Sequence, residues 1–421
     1  MDPSRTRHHV AVVGGGIAGL AAALRLKDNA PPGTVVTLIE QARQVGGKLR
    51  TGEVGGVLVE DGAEAFLARV PGGRELVERI GLGGDLIHPA TYAAAVAVGD
   101  ALRPMPGGTV LGVPADFDAL ANSGVLSRAG LTRVRSEPAE PGDPVVDDVA
   151  AGELIGNRLG REVVERLVDP LLGGVYAGRA DQLSLRATMP ALAEKLTTER
   201  SLVRAARSLR AAAAGESGPV FATVQGGLSR LVSTVAYRSQ AAVRTGLPAR
   251  DLQPTDDGWR VIVGSTRDSS VIGADAVVLA TPAAPAARLL GGVSPAAAAE
   301  IGAIDYASIA LVTFVLRGTI ALPPGSGALI PAAPDRVVKA VTYISQKWAE
   351  ATPPGFTVLR ASVGRYGEER ALQLDDDELV AAVQREIAAL LGVSESRVSQ
   401  IRAKAIGRLR KSLASLRAPV F

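Results

Sequence analysis

The sequence predicts an α/β fold, with a Rossmann-like dinucleotide-binding domain interrupted by a second region of antiparallel sheet plus helices. Three observations carry this prediction. The first is "HVAVVGGGIAGLAAALRLKD", residues 9–28, where a short β-branched run passes through glycines into strong helix formers. The second is another β-branched run at 34–40 that ends in an acid. The third is a set of runs between 304 and 367 that alternate like half-buried strands.

Residues 9–13 give the first strand, and Gly14-x-Gly16-x-x-Gly19 follows directly. Gly14 permits a tight turn, Gly16 lets the backbone approach a pyrophosphate, and Gly19 lets helix and strand pack closely. Gly15, Ile17 and Ala18 complete the turn and open a helix whose free N–H groups and positive dipole suit phosphates. Unrelated folds carry similar turns, so context decides. The Pro-Pro-Gly turn at 31–33 and the strand at 34–40 supply that context. Glu40 stands 21 residues beyond Gly19, with Gln41 beside it. A carboxylate there can bond ribose hydroxyls and disfavours the 2′-phosphate of NADP. The alternative for Glu40 is an ordinary solvated strand end.

Composition narrows the partners. With 47% hydrophobic and 21% charged residues, the 421-residue chain can bury a sizeable core across two or three domains. The net charge of +3 is small, and the basic residues are mixed with 43 acidic ones without a basic, aromatic-interleaved stripe. No nucleic-acid partner is expected. The absence of cysteine excludes disulfides, thiol nucleophiles, cysteine metal sites and a cysteinyl-linked flavin. The three histidines lack metal spacing, so no metal is expected. No signal peptide is read, and no uninterrupted apolar run reaches the roughly 18 residues of a membrane span. The expectation is a soluble cytoplasmic protein, with peripheral membrane contact left open.

Residues 91–150 are rich in Pro and Gly and read as loops and short helices, with a solvated acidic linker near 137–148. The stretch 149–192 begins as an amphipathic helix and breaks at "DPLLGGVYAGRADQLS". "DGWRVIVG" alternates like a hairpin strand after an Asp-Gly turn, and 274–290 opens with a buried strand that rejoins the central sheet.

Two elements after Glu40 carry a resemblance. "QARQVGGKLRT", 41–51, holds Gly46, Gly47 and Lys48, and "VEDGAEAFLAR", 59–69, holds Gly62, Ala63, Glu64 and Ala65. In this order they resemble the FAD-dependent amine oxidase superfamily. Physically, small residues let a chain lie against a flat ligand, and a cation offsets diphosphate charge. The alternative for Lys48 is a solvated loop lysine. "DPLLGGVYAG" resembles the porphyrinogen-oxidising members, the protoporphyrinogen and coproporphyrinogen III oxidases, as do "TYISQKW" and "RASVGRYG". "FATVQGGLSRLVSTVA" resembles the segment that returns the chain to the FAD domain.

The resemblance implies a Rossmann-like FAD-binding domain over 1–90 and 216–290, a helical substrate insertion over 91–215, and a substrate-domain sheet and helix over 291–400. FAD is the implied cofactor, with Ala249 near its adenine. Gly174, Val175 and Tyr176 are implied to face the tetrapyrrole; otherwise this is a helix-ending turn with Tyr176 in the core. The implied activity is oxygen-dependent oxidation of CH–CH groups in a porphyrinogen of haem biosynthesis, with hand-off to a ferrochelatase. Four propionates call for more cations than two, and the Arg-rich composition favours coproporphyrinogen III over protoporphyrinogen IX. Lys347, Arg360 and Arg365 either face such carboxylates or are solvated sheet-edge charges. No catalytic acid or base stands out. An amine oxidase or carotenoid desaturase is the alternative, though 3% aromatics suits an aromatic cage poorly.

The resemblance stops near residue 400. The basic tail at 401–421 lacks the closing family segment that holds the flavin ring and ribityl chain. The expectation is an intact pyrophosphate and adenine half of the site, with weakened FAD binding and a weakly active chain.

Overall fold

The computed structural model describes residues 8–214 and 218–392, together with the backbone of Arg402–Ile406. The chain forms two units. One takes residues up to Glu53, Leu58–His88 and Pro219–Tyr306; the other takes Val54–Val57, Pro89–Gly218 and residues from Ala307 onward.

The first unit is built on a parallel sheet in the order Ala242–Arg244, Val35–Ile39, His9–Val13, Ala276–Leu279. Its two central strands, Val35–Ile39 and His9–Val13, are β-branched and mostly buried, as parallel strands packed on both faces require. Val12 and Leu38 face the helices Ile17–Asn29 and Leu228–Ser239, meeting Leu20, Ala23, Leu231 and Val235. Ala11, Val13 and Ile39 face the other way, onto Leu252, Val261 and Val263. Those residues belong to an antiparallel sheet of Ala249–Thr255, Gly258–Gly264 and Ser269–Ala274. Each fully buried Leu or Val contributes about 1.5–3 kcal/mol.

The second unit holds a seven-stranded sheet in the order Arg402–Ile406, Ala310–Arg317, Phe356–Val363, Val338–Tyr343, Gly327–Leu329, Ala95–Val98, Ala101–Pro104. Neighbours run antiparallel except Gly327–Leu329 and Ala95–Val98. The helix Asp376–Leu391 packs Leu379, Val383 and Ile387 against Val312, Phe314 and Val341. Asp375 and Glu378 form a capping box at its start. A separate helical core gathers Leu120, Ile155, Leu159, Leu167 and Val203.

The structure corrects four expectations. The hairpin Ala95–Val98/Ala101–Pro104 lies within the stretch read as loops and short helices, because Pro104 stands at an exposed edge where its missing N–H costs nothing. Within the stretch read as a break, Asp169–Tyr176 is helical and continues the turns before it; Pro170 is accommodated because Val164–Val168 widens to a π-helical turn, with the Asp169 amide reaching back to the Val164 carbonyl. The chain turns only at Ala177, with φ +54°. Within the segment read as a tail, Arg402–Ile406 is an edge strand beside Ala310–Arg317. The rest of that segment, on which the weakened flavin site was argued, lies outside the described residues.

The fourth correction concerns Glu137, read as part of a solvated linker. Its side chain is buried at the start of the helix Leu202–Ala213. Its carboxylate accepts hydrogen bonds from Ser201 Oγ (2.6 Å), the Leu202 amide (2.7 Å) and the Val203 amide (3.3 Å). A negative charge there also complements the helix dipole. Glu137→Ala is expected to lower stability by about 1–3 kcal/mol in chemical denaturation, because three donors lose a shared acceptor. Glu137→Gln should lose less.

Candidate active site

The first strand ends at Val13, and the chain must reverse into a helix within three residues. Gly14 does this at φ +110°, donating its N–H to the Ile39 carbonyl at 2.8 Å. A Cβ there would stand 2.5 Å from the Ala280 carbonyl oxygen, so only glycine fits. A Cβ on Gly19 would collide with the Gly14 carbonyl. Gly16 differs: a Cβ there would meet nothing within 4 Å. The turn is therefore packed everywhere except at the one glycine that fronts the helix. The first-turn amides of Ile17, Ala18 and Gly19 have no intrahelical acceptors.

A second glycine loop lies against the first, backbone to backbone. The Gly46 amide donates to the Gly15 carbonyl at 2.8 Å, and Gly16 and Gly46 form a parallel bridge. A Cβ on Gly47 would come within 3.2 Å of Gly16 Cα. A third segment closes on the second, where the Ala63 amide donates to the Lys48 carbonyl at 3.0 Å and a Cβ on Gly62 would strike that same carbonyl. Glu64 and Ala65, both half-buried, lead into Phe66–Leu67, which pairs with Phe221–Val224.

Glu40 ties the turns together. Its Oε2 accepts the Gly15 amide and its Oε1 the Ala42 amide, each at 2.7 Å. Each oxygen keeps a lone pair for a hydroxyl ligand. Gln41 is exposed beside it. The Leu247 amide donates to the Glu40 carbonyl at 2.9 Å, which brings the half-buried Ala249 into the same neighbourhood of the chain. The Lys48 ammonium stands 5.7 Å from the centre of the Tyr306 ring. The Tyr306 hydroxyl in turn accepts the Ala283 amide at 3.0 Å.

Some contributors were not singled out from sequence. Thr281 Oγ1 is buried without a hydrogen-bond partner, directly after the Ala280 carbonyl that crowds Gly14. An orphaned hydroxyl at such a place suits a ligand that supplies the missing partner. Thr51 and Glu60 cap the helix Leu228–Ser239, whose own cap position is Gly227 and carries no side chain. The Leu228 amide donates to Glu60 (2.7 Å), and Thr51 and Ser229 exchange amide-to-hydroxyl bonds at 2.7 and 3.0 Å. The Thr-Pro that ends the strand and the lone Tyr306 were the available signals; the long-range cap left none.

In the second unit, Gly174, Val175 and Tyr176 form the last turn of the helix Asp169–Tyr176. Val175 is 70% and Tyr176 45% exposed, so Tyr176 is not a core residue. Arg360 and Arg365 are buried rather than solvated edge charges, while Lys347 packs its ammonium over Trp348 at 5.3 Å. Asp169 Oδ1 accepts the Ala180 amide at 2.7 Å. Burial pushes the Asp169 carboxyl above the usual carboxylate range, against the pull of that amide and of Arg365.

The sequence pattern of flavin containing amine oxidoreductases matches residues 17–404. The chain belongs to this family. It is 36% identical over 385 residues to coproporphyrinogen III oxidase of Mycobacterium tuberculosis, covering 91% of this chain and 82% of the relative. It is 30% identical over 407 residues to coproporphyrinogen III oxidase of Bacillus subtilis, covering 92% and 84%. Among solved structures, a protein from Exiguobacterium assigned as a protoporphyrinogen oxidase superposes with a TM-score of 0.83 at 28% identity, covering 97% of this chain and 92% of that one. Putrescine oxidase, at 18% identity and a TM-score of 0.64, shares the fold.

FAD is the cofactor, and the residues present fit it. The opening at Gly16, the first-turn amides, the carboxylate of Glu40 and the orphaned Thr281 hydroxyl offer what a dinucleotide needs at its phosphates and riboses. Gly16→Ala is expected to leave the melting temperature of the flavin-free protein unchanged and weaken FAD binding about tenfold, about 1.4 kcal/mol, in a fluorescence titration. Gly19→Ala should lower both stability and FAD binding, because its Cβ meets backbone.

Proposed function

We propose that this chain oxidises coproporphyrinogen III to coproporphyrin III in haem biosynthesis, with oxygen as the electron acceptor. The observation that carries the reading is identity of 30–36% to coproporphyrinogen III oxidases over 91–92% of the chain, joined to the glycine cradle. When bound, FAD supplies the two-electron chemistry. The protein's part is to hold and orient. The residues of the first-unit cradle hold the dinucleotide: Gly14, Gly15, Gly16, Ile17, Ala18, Gly19, Glu40, Gln41, Gly46, Gly47, Lys48, Gly62, Ala63, Glu64, Ala65 and Ala249. Lys48, exposed on the cradle, offsets diphosphate charge.

On this reading the exposed turn Gly174–Tyr176 faces the tetrapyrrole, and Tyr176 offers a flat, rigid surface to the macrocycle. The first unit is the FAD domain and the second the substrate domain. No helix among the described residues is long and apolar enough to cross a membrane. The protein works in the cytoplasm, in contact with a membrane surface at most, and passes its porphyrin to a ferrochelatase.

The test offers coproporphyrinogen III and protoporphyrinogen IX in parallel to the FAD-loaded chain and follows porphyrin fluorescence against a protein-free control. Faster oxidation of coproporphyrinogen III is expected. Tyr176→Ala should fold normally and raise KM by about fivefold, about 1 kcal/mol of lost ring contact.

A further inference from the structure

Lys339 is a buried ammonium that the proposed reaction does not use. It lies in the strand Val338–Tyr343, where regular alternation would send Val338 and Lys339 to opposite faces. Both are buried, because the register against Phe356–Val363 shifts between Val338 and Ala340. Such a bulge re-aims a side chain. Here it brings Lys339 Nζ to the Gly173 carbonyl, at 3.4 Å. No carboxylate pairs with Lys339 among the described residues.

The surrounding charges hold the same short piece of chain. The Asp169 carboxylate at the head of the helix takes the Ala180 amide just beyond its end. The Tyr366 amide donates to the Ala177 carbonyl at 2.7 Å, and Arg179 pairs with Glu368 at 2.8 Å. Arg365 donates to the Ile330 carbonyl at 2.7 Å and feels Glu368, Asp169, Glu386 and Arg179. Glu386, from the helix Asp376–Leu391, accepts the Val337 and Val338 amides. Apart from the Arg365–Ile330 bond, these contacts fix residues 169–180 or the start of the strand that meets them.

We infer that Lys339 is a positioning residue, which grips the C-terminal carbonyl end of the helix Asp169–Tyr176 and so fixes the turn Gly174–Tyr176 that faces the substrate. The inference rests on the reading that this turn meets the porphyrinogen. A cation suits the negative end of a helix, yet an unpaired buried ammonium is unfavourable to folding. Burial first, and Arg365 second, pull its pKa from 10.5 down to about 8. Between those two values the unfolded chain binds more protons than the folded one, so stability rises with pH there. Below about pH 8 the charged side chain lowers stability. A methionine of similar length would remove that penalty and lose the grip.

The test compares the wild type with Lys339→Met and Lys339→Arg by hydrogen exchange, thermal melting and steady-state kinetics on coproporphyrinogen III. Positioning predicts that Lys339→Met melts higher than the wild type at pH 7 while the peptide over 169–180 exchanges about tenfold faster. KM should rise about fivefold with kcat less affected, and Lys339→Arg should restore both readouts in large part. Exchange at 169–180 that matches the wild type overturns the inference. Should Lys339→Met fail to fold, Lys339→Leu takes its place in the exchange measurement, where protection over 169–180 that matches the wild type overturns the inference. A wild type that oxidises no porphyrinogen overturns the substrate reading and leaves the exchange measurement to judge Lys339.

Discussion

The first unit depends on two backbones lying in direct contact. The turn at 14–16 and the loop at 46–47 are joined by the Gly46 amide on the Gly15 carbonyl, and a Cβ on Gly47 would crowd Gly16 Cα at 3.2 Å. Everything else in the cradle follows from that contact. Glu40 is held where both its oxygens take amides, and the 62–63 segment closes onto Lys48 from the far side. The parallel sheet beneath, packed on both faces, keeps the turn from relaxing. What is left open, at Gly16 and the first helical turn, is shaped for phosphate rather than for protein.

The second unit answers a different demand. On the proposed reading it meets a flat macrocycle, which needs an exposed surface that nonetheless stays rigid. The helix Asp169–Tyr176 is short and carries two glycines, so it has little stability of its own. Its order comes from outside: the Asp169–Ala180 bond, the Tyr366–Ala177 bond, the Arg179–Glu368 pair and Lys339 behind it. A rigid turn held by charge is how the chain can leave Val175 and Tyr176 exposed.

Legibility in the sequence followed the range of the interactions. The strand, the glycines and the helix at 9–28 were readable because each is set by neighbours within a few residues. The same holds for the strand Gly258–Gly264, although its hairpin loop is Asp256–Asp257 rather than the Asp-Gly pair, and for the strand at Ala276–Leu279. Glu137 was misread because its partners lie 64 to 66 residues away, beyond any local pattern. Thr51 and Glu60 capping a helix at 228 were invisible for the same reason. The helix at 169–176 was missed because a π-helical turn at Val164–Val168, which lets the helical run pass Pro170, leaves no pattern in the sequence. Lys339 left no signal, since a register shift appears only when the partner strand is known.

The central claim is that the cradle holds FAD for the oxidation of a porphyrinogen. The most direct measurement mixes the FAD-loaded chain with coproporphyrinogen III in the absence of oxygen and watches the visible flavin band. The account predicts that the band is lost as each flavin takes two of the six electrons the porphyrinogen must give up, and that the band returns and porphyrin fluorescence develops when air is admitted. A flavin band that persists in the presence of coproporphyrinogen III, with no porphyrin formed, would contradict it.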